Sequence, residues 1–263
     1  MSNNVGHGYR WSPLLLRRAP DGRLYAGTRP AHVYLARPSG EGDLSGRVEW
    51  RELDGFQALP SRDEWRLPRH DDLAQVRDLF VHPAAPERVV AGVEVGGVHV
   101  SRDCGETWTE RREGVNDDVH ELRAVGPDEF VAATGFGLFR TADAGRSWTR
   151  LDDGHEQRYF RSAAVVDGDI YAGSALAHTA TWEDEDAAPV LFACRDGETL
   201  ERVEHPRPDE TVTGMTAVDD ALAVATHRGT VMGRDGDGWT VSESLPAPDD
   251  FAGSYVPLSR VDR

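Results

Sequence analysis

Short runs of alternating apolar and polar residues, separated by turn residues, follow one another along most of the chain. The clearest runs form two consecutive groups of four. The first group covers 75–82, 88–93, 97–102 and 107–111, and the second covers 119–125, 129–134, 137–141 and 147–151. Alternation over about four to eight residues is typical of half-buried β-strands. The pattern therefore predicts two successive units of four short antiparallel strands, which we label A to D.

Both units contain the same turn, and its two copies lie 40 residues apart. The segments SRDCGETW (101–108) and TADAGRSW (141–148) both fit S/T-x-D-x-G-x-S/T-W. The acid can accept backbone N–H groups across a tight turn, the glycine can take a positive φ, and the indole can fill space between sheets. We therefore expect structural roles for Asp103, Gly105, Trp108, Asp143, Gly145 and Trp148. A repeat of about 40 residues made of short strands is typical of a β-propeller blade.

Weaker copies of the unit occupy the rest of the chain. The sequence predicts an all-β protein: one five-bladed β-propeller domain over residues 1–263 with four-stranded antiparallel blades, six blades being the alternative. The expected blades are 11–53, 74–112, 118–151, 158–204 and 211–245, and 251–263 is expected to close the ring. Two insertions, 54–73 and 176–188, break the period and lack helical apolar spacing, so we interpret both as long loops.

The repeated turn resembles the Asp-box, or BNR, repeat of sialidases, xyloglucanase-like glycosidases, sortilin-type receptors and the photosystem II assembly propeller. The resemblance is strong in the second and third blades and weak elsewhere. It implies a fold and not an activity, because in those families the turn lies on the outer edge of the blade, away from the binding face. Sialidases share an Arg-Ile-Pro motif near the start; the only near match here, Thr28-Arg29-Pro30, lacks its spacing.

The chain carries a large excess of acidic residues. The chain has 46 acidic and 29 basic residues, a net charge of −17, and every basic residue is arginine. Codon usage in a GC-rich genome accounts for the missing lysine but not for the acidic excess. High net charge preserves solubility in concentrated salt, so we expect a protein of a salt-adapted organism.

The same composition argues against several kinds of partner. Phosphate contacts need a positive face, and no basic run is visible, so we expect no nucleic-acid partner. No apolar run reaches the ~18 residues of a membrane span, and residues 1–20 lack the apolar region of a secretory signal. Cys104 and Cys194 fall in different repeats, which favours a reducing cytoplasm over a disulfide.

Candidate chemistry concentrates at one end of the predicted ring, on the D–A and B–C connections, where a propeller places its binding loops. Eight of the ten histidines fall there: His7, His32, His70, His120, His155, His178, His205 and His227. Either histidine is simply common in loops, or several imidazoles converge on the axis and bind a divalent metal or exchange protons. The candidate metal ligands are His70, His120, His155 and His205. The candidate catalytic groups are His120, Glu121, Arg123, Arg161 and His227, of which Arg123 and Arg161 could also bind an anion.

The two insertions are expected to rise on this same face. They would bring Trp65, His70, His178 and Trp182 into contact with a ligand or partner.

Two functions remain open from the sequence. The fold motifs are intact and no catalytic constellation stands out, which favours a cytoplasmic, non-catalytic binding or assembly module. Its partner would be a protein or a small molecule at the loop face, and no cofactor is required. The alternative is a glycosidase-like hydrolase or a metal-dependent lyase that uses the histidine-rich face. Three or more of the eight histidines, or a set of histidine and glutamate side chains, within a few ångströms at the axial mouth would favour the enzyme. Scattered histidines that point to solvent would favour the binding module.

The charge generates a first prediction. Counter-ions relieve the repulsion within a surface of −17, so we expect the melting temperature to rise substantially from low salt to molar KCl. Thermal denaturation followed by circular dichroism measures it, with uncharged sucrose as the control for general stabilisation. A flat or falling salt dependence would contradict the adaptation to salt.

Overall fold

Five separate sheets make up the protein. The computed structural model describes residues 12–38, 48–236 and 238–244. Within them, each sheet contains four antiparallel strands, and strands adjacent in sequence are adjacent in the sheet. This arrangement confirms the predicted five-bladed β-propeller. The expected ring-closing segment 251–263 and His7 lie outside the described residues.

The strand bounds follow the alternation of the sequence closely. Blades one to three contain β1 Ser12–Arg18, β2 Leu24–Arg29, β3 Val33–Ala36, β4 Trp50–Glu52; β5 Gln75–Phe80, β6 Val89–Glu94, β7 Gly97–Ser101, β8 Thr109–Glu110; and β9 Val119–Ala124, β10 Phe130–Thr134, β11 Gly137–Thr141, β12 Thr149–Arg150. Blades four and five contain β13 Tyr159–Val166, β14 Asp169–Ala175, β15 Val190–Cys194, β16 Glu201–Val203; and β17 Val212–Val218, β18 Ala221–Thr226, β19 Thr230–Asp235, β20 Gly238–Ser244.

Strand A of each blade lies at the inner edge of the ring. Contacts between inner strands run from β1 to β5, β9, β13 and β17 in turn. The second halves of these five strands together line a cavity of about 580 Å³. The blades therefore converge on one axis, and this cavity opens at the mouth opposite the D–A and B–C connections.

Every inner strand carries a β-bulge at the same point. The pairing with strand B skips one residue in each blade: Leu14, Arg77, His120, Arg161 and Thr213. A bulge leaves the extra residue unpaired and interrupts the regular alternation of side chains. The side chains after the bulge consequently point to the opposite face of the sheet from the one that unbroken alternation would predict.

A small residue of strand B faces each bulge, and in blades one, two and four it is a glycine against which the next blade packs. A Cβ on Gly27 would lie 2.7 Å from Cγ1 of Val76, and one on Gly92 would lie 2.6 Å from Cγ1 of Val119. Real Cβ atoms do not approach this closely. The recurring Ala-Gly step of strand B is thus needed because the inner strand of the following blade packs directly onto its backbone.

The repeated turn has the same hydrogen bonds in both blades. Oδ1 of Asp103 accepts from the Thr107 N–H at 2.9 Å and from the Ser101 hydroxyl at 2.8 Å. The Ser101 oxygen in turn accepts from the Gly105 N–H at 2.8 Å. Equivalent bonds join Thr141, Asp143, Gly145 and Ser147. Each polar position of the motif therefore has a partner within the turn.

The indoles of the two turns lie half-buried between blades. The Trp108 ring packs edge-on to Phe56 at 5.0 Å, and the Trp148 ring packs against Phe130 at 5.5 Å. Nε1 of Trp148 also donates to the carbonyl of Arg111, in blade two, at 3.1 Å. Trp148 thus ties blade three to its predecessor.

The insertions differ from the expected plain loops, because each contains short helical turns. Residues 54–73 form helix α1, Asp54–Gln57, and two 3-10 turns, Arg62–Glu64 and Pro68–His70; the second insertion contains the 3-10 turn Thr179–Thr181. Apolar side chains fold these segments back onto the blades. No helix among the described residues is long and apolar enough to cross a membrane.

Removal of an inter-blade indole should destabilise the ring. We expect Trp148→Ala to lower the free energy of unfolding by about 3 kcal/mol, the low end for tryptophan truncation because the ring is only half-buried. Urea denaturation measures it. The control is Trp50→Ala, because that ring lies on an outer strand and is 39% exposed. Equal losses in the two variants would show that Trp148 has no special role between blades.

Candidate functional site

A cavity of about 700 Å³ opens on the face of the D–A and B–C connections. Arg69 and His70 border it from the first insertion, and residues 176–179 border it from the second. Its remaining wall includes Asp118 and Tyr159, at the starts of the inner strands of blades three and four. Two segments more than 100 residues apart in the chain therefore meet around one space, which we call the insertion cavity.

The lining of the insertion cavity combines exposed apolar groups with cations. Phe136 is 56% exposed and Leu176 is 37% exposed. Arg158, also in the lining, pairs with the buried Asp152 at 2.8 Å. Burial lowers the pKa of His70, and the neighbouring Arg29 adds to that shift. The His70 imidazole is therefore neutral at neutral pH.

A cluster of two carboxylates and one imidazole adjoins this cavity through Asp118, which is part of the lining. The ligand atoms of Glu94, Asp118 and His120 all lie within 4.8 Å of one another. Nε2 of His120 is 3.6 Å from Oδ1 of Asp118 and 4.0 Å from Oε1 of Glu94, separations longer than hydrogen bonds. We call these three residues the carboxylate–imidazole cluster.

Local structure fixes the orientation of His120. Its position in the bulge of β9 removes it from the regular alternation. Nδ1 lies 2.8 Å from the carbonyl oxygen of Phe160, and a carbonyl can only accept, so Nδ1 carries the proton. Burial lowers the pKa of His120 more than its contact with Asp118 raises it. Nε2 is therefore the ring nitrogen that faces the two carboxylates.

Arginines approach the two acids. Arg69 pairs with Glu94 and lies 3.8 Å from Oδ1 of Asp118. Nε of Arg77, the bulged residue of blade two, lies 3.6 Å from Oε2 of Glu94. Burial would raise the pKa of Asp118, but the contact with His120 and the charges of Arg69 and Arg77 lower it. Asp118 is therefore ionised at neutral pH.

Two predicted catalytic candidates connect blades. Arg123 donates to Oδ2 of the buried Asp78 at 2.9 Å and also contacts Glu121. Oδ2 of Asp78 accepts the N–H of Leu122, from the next blade, at 3.0 Å, and Oε2 of Glu121 accepts the N–H of Ala163, one blade further, at 2.6 Å. Glu121 and Arg123 therefore connect neighbouring blades. The Arg123 guanidinium, a candidate for anion binding, is paired with Asp78 and Glu121.

The histidines do not converge as a group. His70 and His178 border the insertion cavity, and His120 belongs to the cluster. His155 instead packs on Phe192, and His205 on Trp239. The structure therefore does not bring His155 and His205 to the carboxylate–imidazole cluster.

His227 has partners on both ring nitrogens. Nδ1 accepts from the N–H of Thr211 at 3.0 Å, and Nε2 lies 3.1 Å from Glu183 of the second insertion. This histidine fastens the insertion to blade five. Arg161, the bulged residue of blade four, is buried near His120, whose pKa its charge helps to lower.

The two insertion tryptophans are buried, which corrects the expectation that their rings face a ligand. Trp65 and Trp182 are each 2% exposed. Trp65 packs on His99 at 4.8 Å, and Trp182 packs on His227 at 5.6 Å. Apolar burial thus holds each insertion to its blade, and smaller side chains border the cavity.

Sequence reasoning missed Glu94 and Asp118. Glu94 ends strand β6, and Asp118 precedes β9 in the segment Asp118-Val119-His120. The Asp-x-His spacing was a usable signal, because it places a carboxylate two residues from a candidate imidazole ligand. No comparable signal marks Glu94 in a chain with 46 acidic residues.

Comparisons with solved structures find the same fold in proteins of different activity. A structure of YCF48 bound to D1 peptide has 14% identity, covers 89% of this chain and 70% of that chain, and has a TM-score of 0.55. A GH74 enzyme of Niastella koreensis has 14% identity, covers 86% of this chain and 37% of that chain, and has a TM-score of 0.60. Virginiamycin B lyase from Staphylococcus aureus has 14% identity, covers 90% of this chain and 71% of that chain, and has a TM-score of 0.62. Protein-family models and curated sequences give no match. These likenesses show the fold alone.

The packing beneath the first insertion predicts a pH dependence. Burial lowers the pKa of His99 from 6.5 to about 3. The folded state therefore binds fewer protons than the unfolded state, and stability is lost as pH falls from 6.5 towards 3. Between about pH 7 and pH 5, we expect His99 to account for a loss of about 2 kcal/mol.

Urea denaturation of His99→Gln at both pH values tests this, because glutamine does not titrate there. The variant should lose about 2 kcal/mol less than the wild type over this range. His82→Gln, which removes a histidine from the A–B turn of blade two, is the control. If both variants lose as much as the wild type, His99 is not the titrating group.

Proposed function

We propose that this propeller is a non-catalytic binding module that holds an extended segment of a partner protein in the insertion cavity. The observation that carries the proposal is the pair of exposed side chains, Phe136 and Leu176, in the lining of that cavity. Exposed apolar groups rimmed by polar residues are typical of interaction sites. A space of about 700 Å³ is large enough for a few residues of peptide.

The chemistry of the rim suggests what such a segment contains. An apolar side chain of the segment packs on Phe136 and Leu176. Arg69 and Arg158 supply guanidinium donors for backbone carbonyls or a carboxylate. YCF48, which shares the fold, has been solved with a bound peptide. In this proposal the module acts in the cytoplasm of a salt-adapted organism, and the acidic excess of the chain supports the adaptation to salt.

An enzymatic function is the second candidate, and one observation favours it. The carboxylate–imidazole cluster is the histidine-and-glutamate set that we named as the mark of an enzyme, and it adjoins the same cavity. A hydrolase or a metal-dependent lyase would use Asp118 or His120 for proton transfer. Turnover of a bound segment by the wild type, abolished in Asp118→Asn, would favour this candidate.

The binding proposal predicts a selective loss in Phe136→Ser. A random decapeptide library displayed on phage is selected against the wild type in molar KCl, and the affinities of enriched peptides are measured by fluorescence anisotropy. Because Phe136 is exposed, its substitution should weaken binding at least about tenfold and leave the melting temperature unchanged.

The matched control is Leu16→Ser. Leu16 is 52% exposed and lies at the opposite mouth of the ring. The Leu16→Ser substitution should leave the peptide affinity unchanged. Enriched peptides that bind Phe136→Ser as tightly as the wild type would exclude the insertion cavity as their site, and a library that yields no specific peptide would argue against a peptide ligand.

A further inference from the structure

We propose that the carboxylate–imidazole cluster of Glu94, Asp118 and His120 binds one divalent transition-metal cation, such as Mn²⁺ or Zn²⁺, beside the insertion cavity. This inference is independent of the peptide proposal, because it rests on the geometry and hydrogen bonding of these three residues and not on Phe136 or Leu176.

The separations between the ligand atoms are close to those around a single ion. Two atoms that each lie about 2.1 Å from one metal can be at most about 4.2 Å apart. Nε2 of His120 is 3.6 Å from the Asp118 oxygen and 4.0 Å from the Glu94 oxygen. All three ligand atoms lie within 4.8 Å of one another, so a shift below about 1 Å in the partly exposed Asp118 completes the geometry.

The hydrogen bonding of His120 is the second, independent observation. The residue is 4% exposed, and Nε2 has no hydrogen-bond partner among the described residues. Because Nδ1 contacts the Phe160 carbonyl, Nε2 is the ring nitrogen that faces the carboxylate oxygens of Asp118 and Glu94. A buried polar atom without a hydrogen bond is unfavourable, and a metal ion between Nε2 and the carboxylates would satisfy it. Metal-bound imidazoles commonly donate their other N–H to a backbone carbonyl, as this one does.

Oδ1 of Asp118 is also buried without a hydrogen bond within the described part of the chain. Glu94, by contrast, is held in place by Gln75, whose Nε2 donates to its Oε2 at 2.5 Å. The remaining oxygen of Glu94 pairs with Arg69, whose side chain is 52% exposed on the cavity side. A metal ion entering from the cavity displaces this guanidinium, and Arg69 can move out into solvent.

The donor set selects the class of ion. Imidazole suits Zn²⁺ and its neighbours, whereas carboxylates also suit Mn²⁺; a purely oxygen site would suit Mg²⁺ or Ca²⁺ better. Three protein ligands leave at least one position for water or for an oxygen of a bound molecule. The cluster therefore has the form of an open site.

Metal binding to purified, EDTA-treated protein tests the inference. Titrations with Mn²⁺ are followed by the loss of the free-ion electron paramagnetic resonance signal, and titrations with Zn²⁺ by calorimetry, both in about 1 M KCl so that the acidic surface is screened. We expect one ion per chain in the wild type. Asp118→Asn and Glu94→Gln should each raise the Kd at least about tenfold, since each removes a charged ligand at nearly constant volume.

Two further variants separate ligation from general charge and folding effects. Asp71→Asn removes an exposed acid on the same face and keeps the left-handed backbone at φ 55, which asparagine tolerates; its Kd should equal that of the wild type. Gly135→Ala keeps every charge, but its Cβ would lie 2.2 Å from Oδ2 of Asp118. It should therefore weaken binding by displacing that carboxylate.

Melting temperatures identify any variant that fails to fold, and one folded ligand variant is enough for the comparison. The inference is overturned if the wild type binds no stoichiometric ion. It is also overturned if folded Asp118→Asn or Glu94→Gln binds with the affinity of Asp71→Asn.

Discussion

The bulge in each inner strand is the constraint on which the rest of this propeller depends. It shifts the residue that follows it towards the neighbouring blade. In blades two and three this residue is an acid, Asp78 or Glu121, which accepts a backbone N–H from the next inner strand. In blade four it is Ser162, whose hydroxyl donates to the carbonyl of Val212 at 3.1 Å. One backbone irregularity thus supplies a directional bond at three successive blade junctions.

The same irregularity builds the site. The bulged residues Arg77 and His120 approach Glu94 at the mouth of the ring, while the acids that follow them tie blades together. Neighbouring positions of one strand consequently have opposite roles. The predicted catalytic group combined His120 with Glu121 and Arg123, because the sequence does not reveal the bulge that separates their roles.

Most of the fold could be predicted from the sequence because the repeated turn depends only on residues close together in the chain. The S/T-x-D-x-G-x-S/T turn satisfies its own hydrogen bonds, so its residues repeat wherever the turn repeats, as at Asp103 and Asp143. The site depends instead on contacts between blades. The burial of Trp65 and Trp182 and the approach of Glu94 to His120 join residues that the chain keeps apart, and no local pattern encodes them.

The insertion cavity also sets an order of assembly during synthesis. Its border runs from Arg69 to Thr179, so it includes the connection before blade two and the insertion within blade four. Synthesis proceeds from the N-terminus, and a domain generally folds as a unit. A ribosome-bound chain that ends in blade three lacks both the second insertion and the Phe160 carbonyl that orients His120. The insertion cavity can therefore be completed only after blade four has emerged from the exit tunnel.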